Sequence, residues 1–255
     1  MNTFRRAAIK EMLQNKPFVS LHELIKTFPD VSSMTLRRDI EYFEKQGEAI
    51  KVRGGARSMK FITTSMEDAF NLRLNENTNA KEKIARCALN MIETGRSMFF
   101  DSGTTMLRMA ELLPDERLTI TTTGPNIALA LLNKSLPLIN IVGGMVNRDN
   151  ISVSGSPALN FLESINIDIA FIVPSGMSGK NGLTSGNYIE CELKKLVVQK
   201  ARRVIALMDT SKLDKSLPYT FCSIDELNTI ITDAPLPQDI MSQAEAAGVK
   251  VKIAY

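Results

Sequence analysis

Val31-Ser-Ser-Met-Thr-Leu-Arg-Arg-Asp-Ile-Glu-Tyr-Phe43 carries two kinds of residue on two sides of one helix. Leu36, Ile40 and Phe43 follow the i, i+4, i+7 spacing that turns one face into a core. Met34, Arg38, Glu41 and Lys45 fall on the opposite face, with Arg37 on its flank. Ser32 or Ser33 offers the N-cap oxygen for the first orphan N–H groups.

Upstream, Ser20-Leu-His-Glu23 has the spacing of a capping box, so a second helix is predicted from about Leu21. Its apolar residues Leu21, Leu24, Ile25 and Phe28 share a face, and Pro29-Asp30 stops it. An earlier helix over residues 4–13 adds Ala8, Ile9, Met12 and Leu13 to the same small core and ends at Lys16-Pro17. Helix, tight turn and basic helix is the order of a helix-turn-helix. Gly47 then suits the C′ position, and Glu48-Ala-Ile-Lys-Val-Arg53 alternates polar and apolar before Gly54-Gly55, as a basic β-wing would.

Charge points the same way. Residues 1–60 hold 12 Lys and Arg against 7 Asp and Glu, while residues 61–255 hold 19 against 21, so a basic head sits on a slightly acidic body. A phosphate backbone favours that asymmetry through counterion release. The expected nucleic-acid contacts are Ser32, Ser33, Met34, Thr35, Arg37 and Arg38 on the helix, with Lys51 and Arg53 in the wing. The competing reading is a packing module with solvated surface charges; two caps, a wing and the charge asymmetry together weigh against it.

The run Arg6, Ile9, Leu13, Val19-Ser-Leu, Leu24, Phe28, Val31-Ser, Thr35-Leu-Arg-Arg-Asp-Ile, Phe43-Glu, Gly47, Val52-Arg-Gly-Gly-Ala56 resembles the N-terminal domain of the DeoR family of bacterial transcription regulators. Arg53 departs from the histidine usual before Gly-Gly-Ala in that family, but keeps a donor for DNA.

A winged helix-turn-helix needs only about 60 residues, which leaves roughly 170 for a second domain of ordinary size. The reading places the DNA-binding domain at residues 1–57, a linker rich in Ser, Thr and Asn at 58–78, and an effector-binding domain at 79–255. Within the last, predicted strands at 97–101, 118–122, 138–142, 168–173, 204–208, 229–232 and 249–253 alternate with helices at 103–113, 126–132, 157–165, 188–201 and 238–247. Continuous apolar strands between helices imply an α/β fold with a mostly parallel sheet covered on both faces. Ligands of such sheets sit at the carboxyl ends of the strands.

Polar residues gather at those ends. Asp101-Ser-Gly-Thr-Thr105 leaves an apolar strand and opens an amphipathic helix. Gly103 lets a backbone come close, Ser102, Thr104 and Thr105 add hydroxyls, and a helix N-terminus favours an anion. As a motif it reads equally as a phosphate cradle or a well-capped β/α turn. It is not a Walker A loop, and no G-x-G-x-x-G fingerprint occurs. Further candidates are Thr122, Thr123 and Gly124, Gly144, Ser175 and Gly176, the i, i+4 pair Glu190 and Lys194, and Lys212.

Taken in order, these motifs resemble the DeoR-family sensor domain, so the likeness covers the whole chain. That domain is similar to the ribose-5-phosphate isomerase and glucosamine-6-phosphate deaminase fold. The resemblance implies a regulator, normally a repressor of carbohydrate operons, that senses a phosphorylated sugar or related metabolite. It implies that Asp101, Gly103, Thr104 and Thr105 hold the phosphate or nearby hydroxyls and that Lys194 and Lys212 approach the ligand anion. Thr123-Gly124 stand where the family usually has Asn-Ser, and Val173-Pro174 where it has Gly-Ala, which leaves the sugar's identity open. Phe70 and Arg73, followed by Lys83-Ile-Ala, are similar to the family's approach to this domain.

The expected partners are a double-stranded operator, a phosphorylated sugar or related effector, and further copies of the chain as a dimer or tetramer. No cofactor, metal or membrane is expected, and the cytoplasm is the expected compartment. Three widely spaced cysteines, Cys87, Cys191 and Cys222, form no C-x-x-C pair, and no run of 18 apolar residues occurs. An alternative is a sugar-phosphate isomerase or deaminase with a DNA-binding appendage, for which Asp101, Asp168, Glu190 and Asp209 are the available carboxylates. The only histidine, His22, lies in the helix-turn-helix, and Asp168-Ile-Ala-Phe stands where isomerases have Asp-Gly-Ala-Asp, so the regulator is favoured.

Overall fold

The computed structural model describes residues 2–16, 18–52, 54–59 and 70–255. Two compact units divide the chain, Met1–Met66 and Glu67–Tyr255.

The first unit runs α1 (Asn2–Asn15), β1 (Phe18–Ser20), α2 (Leu21–Thr27), α3 (Ser33–Lys45), β2 (Ala49–Val52) and β3 (Gly55–Ser58). Its core joins Ile9 and Leu13 of α1, Leu24 of α2 and Leu36, Ile40 and Phe43 of α3 to Val19, Ala49 and Ala56 of the strands. The strands form an antiparallel sheet in the order β1-β3-β2. Strand β1 was not expected, because three residues are too few to show a period.

Helix ends follow their capping chemistry. Ser32, not Ser33, caps α3, its Oγ accepting from the Thr35 N–H at 3.3 Å. Gly47, at φ 71°, closes it in a Schellman turn: the Glu48 N–H donates to the Phe43 carbonyl at 2.9 Å and the Gly47 N–H to Glu44 at 3.0 Å. At α2 only half the expected capping box forms. Ser20 accepts from the Glu23 N–H at 3.0 Å, but the Glu23 carboxylate pairs with Lys16 instead.

The second unit is built on a seven-stranded parallel sheet, in the order β15-β14-β12-β9-β4-β5-β6. Its strands are β4 (Ser97–Phe100), β5 (Thr119–Thr122), β6 (Leu138–Ile141), β9 (Ile167–Ile172), β12 (Ala201–Leu207), β14 (Thr229–Thr232) and β15 (Lys250–Ile253). Successive side chains enter opposite cores, as Phe99 and Phe100 do. One face packs on α5 (Thr78–Leu89), α6 (Thr104–Leu112) and α7 (Pro125–Leu131). The other packs on α8 (Ser156–Ser164), α9 (Tyr188–Lys200) and α10 (Gln238–Ala246). From β4 the chain builds outward through β5 to β6, then returns to β9 on the far side of β4. The order therefore reverses between β4 and β9, and their carboxyl ends flank a topological switch point.

Two small antiparallel elements lie outside that sheet: the hairpin β7 (Met145–Asn147) with β8 (Ser152–Ser154), and a sheet of β10 (Gly176–Ser178), β11 (Gly182–Ser185) and β13 (Tyr219–Cys222). No described helix is long and apolar enough to cross a membrane.

Among the described residues of the expected linker, 58–78, both ends are structured. Ser58 ends β3 and is buried, and Phe70–Asn75 form a helix, α4, with Phe70 and Arg73 both buried. Phe70, Arg73 and Leu74 are spaced i, i+3, i+4, a helical face that the surrounding polar residues hid. A fragment beginning at Glu67 should therefore be more stable than one beginning at Asn79, by about 3 kcal/mol, the cost of deleting one buried aromatic side chain. Equal urea midpoints for the two fragments would show that α4 contributes nothing to the unit.

Candidate functional site

The basic face of α3 is held by an ion cluster on its other side. Asp39 is only 2% exposed and accepts from Arg5 Nε at 2.6 Å and from Arg6 Nε at 3.0 Å. The Arg6 guanidinium also lies 3.8 Å from the Tyr42 ring centroid. Two arginines of α1 are thus spent on fixing α3, a role that the sequence reading did not assign. Opposite them Ser32, Ser33, Met34, Arg37 and Arg38 are exposed and Thr35 half-buried, with Met34 at 63%. Ser32 and Thr35 share a hydroxyl contact at 3.0 Å.

In the wing, Lys51 does not stand free as expected. Its Nζ lies 2.6 Å from Glu41 Oε1 of α3, and its N–H donates to Glu44 Oε1 at 2.9 Å. The Lys51 hydrogen bond, ahead of the other nearby cations, holds the Glu41 carboxyl below the ordinary range. Arg53 lies outside the described residues.

In the second unit the expected residues collect along the carboxyl edge of the sheet, where Asp101 acts as a staple. Its Oδ1 accepts from the Ser102 N–H at 2.8 Å, and its Oδ2 accepts from the Val173 N–H at 2.9 Å and from Lys194 Nζ at 2.9 Å. The ends of β4 and β9 are thereby tied across the switch point. Lys194 further donates to the Val173 carbonyl at 2.7 Å, approaches Glu190 Oε1 at 3.5 Å and lies 5.2 Å from the Phe221 ring centroid. Asp101 is 1% exposed and Lys194 2%. The i, i+4 pairing of Glu190 and Lys194 read from the sequence is present. Both groups face inward, and much of the triad's bonding capacity is satisfied by protein.

Next to this staple stand groups with unused capacity. Gly103 caps α6 at φ 128°, a backbone conformation that side-chain-bearing residues rarely adopt. Ser102, Thr104 and Thr105 are buried residues whose hydroxyls make no hydrogen bond among the described residues. The first N–H groups of α6 lack intrahelical partners as in any helix. One strand over, Thr122 Oγ1 accepts from the Gly124 N–H at 3.0 Å, and the Thr123 carbonyl accepts from Val153 at 2.7 Å.

Gly144 and Gly176 serve the protein's own packing. A Cβ at either would strike backbone, the Ser154 carbonyl in one case and the Lys215 carbonyl in the other. Ser175 donates its N–H to Thr184 at 3.0 Å. Gly144 also borders a cavity of about 770 Å³ with Ser154, Gly155, Tyr188 and Ile189. Lys212 closes a short 3-10 turn, Thr210–Lys212, after β12 and is half-buried. The turn is capped by Asp209, which accepts from the Ser211 N–H at 3.0 Å.

Sequence reasoning missed several polar groups here. Asn126, in the first turn of α7, has both amide atoms buried with no protein partner. Its only sequence signal was a polar residue opening an apolar helix. Asn150, which the sequence reading gave no role, donates to Glu190 Oε2 at 2.8 Å; Asn-Arg-Asp-Asn is by residue type a turn.

Of the carboxylates weighed for an enzyme, Asp101 and Glu190 meet at Lys194, and Asp168 does not join them. Asp168 stands near the amino end of β9, bonded to the Ser97 N–H at 3.1 Å and 3.7 Å from Arg202, on the opposite edge from Asp101. Burial pushes the Cys191 and Cys222 thiols up, away from the nucleophilic thiolate. Among the described residues no three His, Cys, Asp or Glu are grouped to hold a metal.

Lys194→Met should cost about 3–5 kcal/mol, because it leaves Asp101 and Glu190 charged and uncompensated in the interior. Adding Asp101→Asn should return part of that loss. Urea unfolding of the three proteins checks both; a cost below about 1 kcal/mol for Lys194→Met would mean that the triad does not hold the edge together.

Comparison with known proteins fits both units. The DeoR-like helix-turn-helix domain matches residues 5–61, and the DeoR C terminal sensor domain matches residues 76–234. The HTH-type transcriptional regulator IolR of Bacillus subtilis is 34% identical over 241 residues, 94% of each chain. The HTH-type transcriptional regulator GlpR of Haloferax volcanii is 31% identical over 221 residues, 86% of each. The glycerol-3-phosphate regulon repressor of Escherichia coli is 29% identical over 240 residues, 94% of each. Among solved structures, ribose 5-phosphate isomerase A of Methanocaldococcus jannaschii aligns at 19% identity and a TM-score of 0.41, covering 56% of this chain and 57% of that one. With both domains matched in order and regulators similar along nearly its whole length, the chain belongs to the DeoR family of helix-turn-helix transcriptional regulators.

Proposed function

We propose that this regulator represses a carbohydrate or polyol operon by docking α3 in the major groove, and that a phosphorylated sugar or polyol bound at the strand ends of the second unit alters that binding. Membership of the family implies duplex DNA and a small-molecule effector as partners. Ser32, Ser33, Met34, Thr35, Arg37 and Arg38 supply the helix contacts, and Lys51 and Arg53 the wing contacts. Lys51 exchanges Glu41 for a phosphate on docking. The observation that carries this reading is the clamp on Asp39, which presents Arg37 and Arg38 outward on a helix that cannot roll. Two copies reading paired half-sites need their recognition helices about 34 Å apart, one DNA turn, so a homodimer is the minimal assembly.

The effector reading rests on the open hydroxyls of Ser102, Thr104 and Thr105 at the head of α6 beside a topological switch point. A relative that is named a glycerol-3-phosphate regulon repressor supports an anion of that class. Asp101, Glu190 and Lys194 shape this site from beneath, with Gly103, Thr122, Thr123, Gly124, Gly144, Ser175 and Gly176 forming its loops and Lys212 its rim. Asn126 adds an amide that one hydroxyl can donate to and another accept from.

Arg38→Ala should weaken operator binding by about 1–3 kcal/mol while leaving affinity for random DNA nearly unchanged. Gel-shift titration at fixed salt reads both, and an equal loss on the two DNAs would make Arg38 a phosphate contact. Ser102→Ala with Thr104→Val should lower the affinity for the inducing sugar phosphate at least about tenfold at unchanged operator affinity. Thermal-shift titration with glycerol 3-phosphate and ribose 5-phosphate would expose the error if the double variant responded like the native chain. Turnover of either compound would point to an enzyme.

A further inference from the structure

The polar contacts that leave the strand-end site continue beyond α9. Asn150, in the turn between β7 and β8 and only 5% exposed, gives its Nδ2 to Glu190 at 2.8 Å. Its Oδ1 accepts from Arg73 Nη2 at 3.4 Å. Arg73 is 6% exposed and belongs to α4, the first described element of the second unit. The same turn holds the start of that helix, since the Phe70 N–H donates to the Asp149 carbonyl at 2.7 Å. At the other end of α4 the Lys81 ammonium reaches the carbonyls of Arg73 and Glu76. Burial lowers the Lys81 pKa while nearby Asp209 opposes the shift, and Asn77 donates to Asp209 Oδ1 at 3.1 Å. Helix α4 is therefore gripped at one end by the β7–β8 turn and at the other by the loop after β12.

We propose that Asn150 is the positioning residue that passes occupancy of the strand-end site to α4, through Lys194, Glu190, Asn150 and Arg73. A carboxamide suits that place because it presents a donor to a carboxylate and an acceptor to a guanidinium at once. Aspartate would set two carboxylates against each other, and leucine would remove one hydrogen bond from each neighbour in the interior. An anion arriving beside Lys194 competes with Glu190 for the ammonium. As Glu190 loses that partner its other oxygen moves, and Asn150 and Arg73 follow. Helix α4 succeeds the segment that joins this unit to the DNA-binding unit, so its placement is what an effector must alter. The inference deepens the effector reading given above and rests on it.

The test needs no ligand, so its failure is distinct from failure to find the effector. Amide hydrogen exchange is followed in the full-length native chain, in Asn150→Leu and in Arg73→Met. Asn150→Leu should speed exchange about tenfold in residues 70–75 and also at the Ser102 and Val173 amides, which bond to Asp101. Arg73→Met, a change within α4, should speed exchange at the same two amides, and the double variant should add little to either. If one variant fails to fold, the other still decides. Acceleration confined to α4 and the β7–β8 hairpin, with Ser102 and Val173 unchanged, would overturn the proposal.

Discussion

An ammonium group with almost no access to water organises the sensor unit. Lys194 gathers Asp101 from the end of β4, the Val173 carbonyl from the end of β9, Glu190 one turn back along α9 and the Phe221 ring from β13. Placing such charges in the interior costs several kcal/mol per ion, and apolar replacements of equal volume are often as stable. Stability alone therefore does not account for the triad. It sets a fixed ammonium between two fixed carboxylates at the point where strand order reverses, beside the head of α6. A ligand binding there meets a field already oriented, and an uncharged core of the same size would offer none.

The DNA-binding unit uses the same device at a smaller scale. Asp39 closes the stretch Thr35-Leu-Arg-Arg-Asp39, and its two arginine partners come from α1. Of the basic residues that make this unit positive, Arg5 and Arg6 are bound to Asp39, Lys10 to Glu48, Lys16 to Glu23 and Lys51 to Glu41. Net charge thus overstates the cation surface facing a phosphate backbone. Arg37 and Arg38 carry no ion pair among the described residues, and neither do Lys26, Lys45 and Arg57, so the exposed side of α3 holds part of the available charge.

Most elements long enough to show a period were legible in the sequence. Helix α3, the buried parallel strands and the helices between them appear where apolar spacing put them, within three residues at each end, but the reading assigned no helix to the twelve residues of α5. The three-residue strands β1, β7, β8 and β10 were not legible, because no period can be read over so few positions, and β11 and β13 were missed as well. Helix α4 was hidden by its polar neighbours. Among site residues, the i, i+4 rule placed Glu190 and Lys194 together, but no local rule links Asp101 to a lysine on α9. A strand-end carboxylate read as open to a sugar hydroxyl is therefore largely taken up by protein. Asp168 was legible in principle: a residue opening a strand lies at its amino end, away from Asp101.

The division between engaged and open groups explains why this edge suits a sensor better than a catalyst. Acid–base catalysis needs a titratable group free to exchange a proton beside the substrate. The buried carboxylates here are engaged instead: Asp101 and Glu190 hold Lys194 and, through Asn150, lead toward α4, and Asp209 accepts from the Ser211 N–H and from Asn77. What stands unused is neutral: the hydroxyls of Ser102, Thr104 and Thr105 and the amide of Asn126. Neutral donors and acceptors around a fixed charge can bind an anionic polyol without transforming it. A regulator needs only that such binding favour one arrangement of α4 over another, because a ligand shifts an equilibrium by its difference in affinity for the two states. Charges locked into a continuous network make that difference available at a distance, since a change in Lys194's partners cannot be absorbed locally by water.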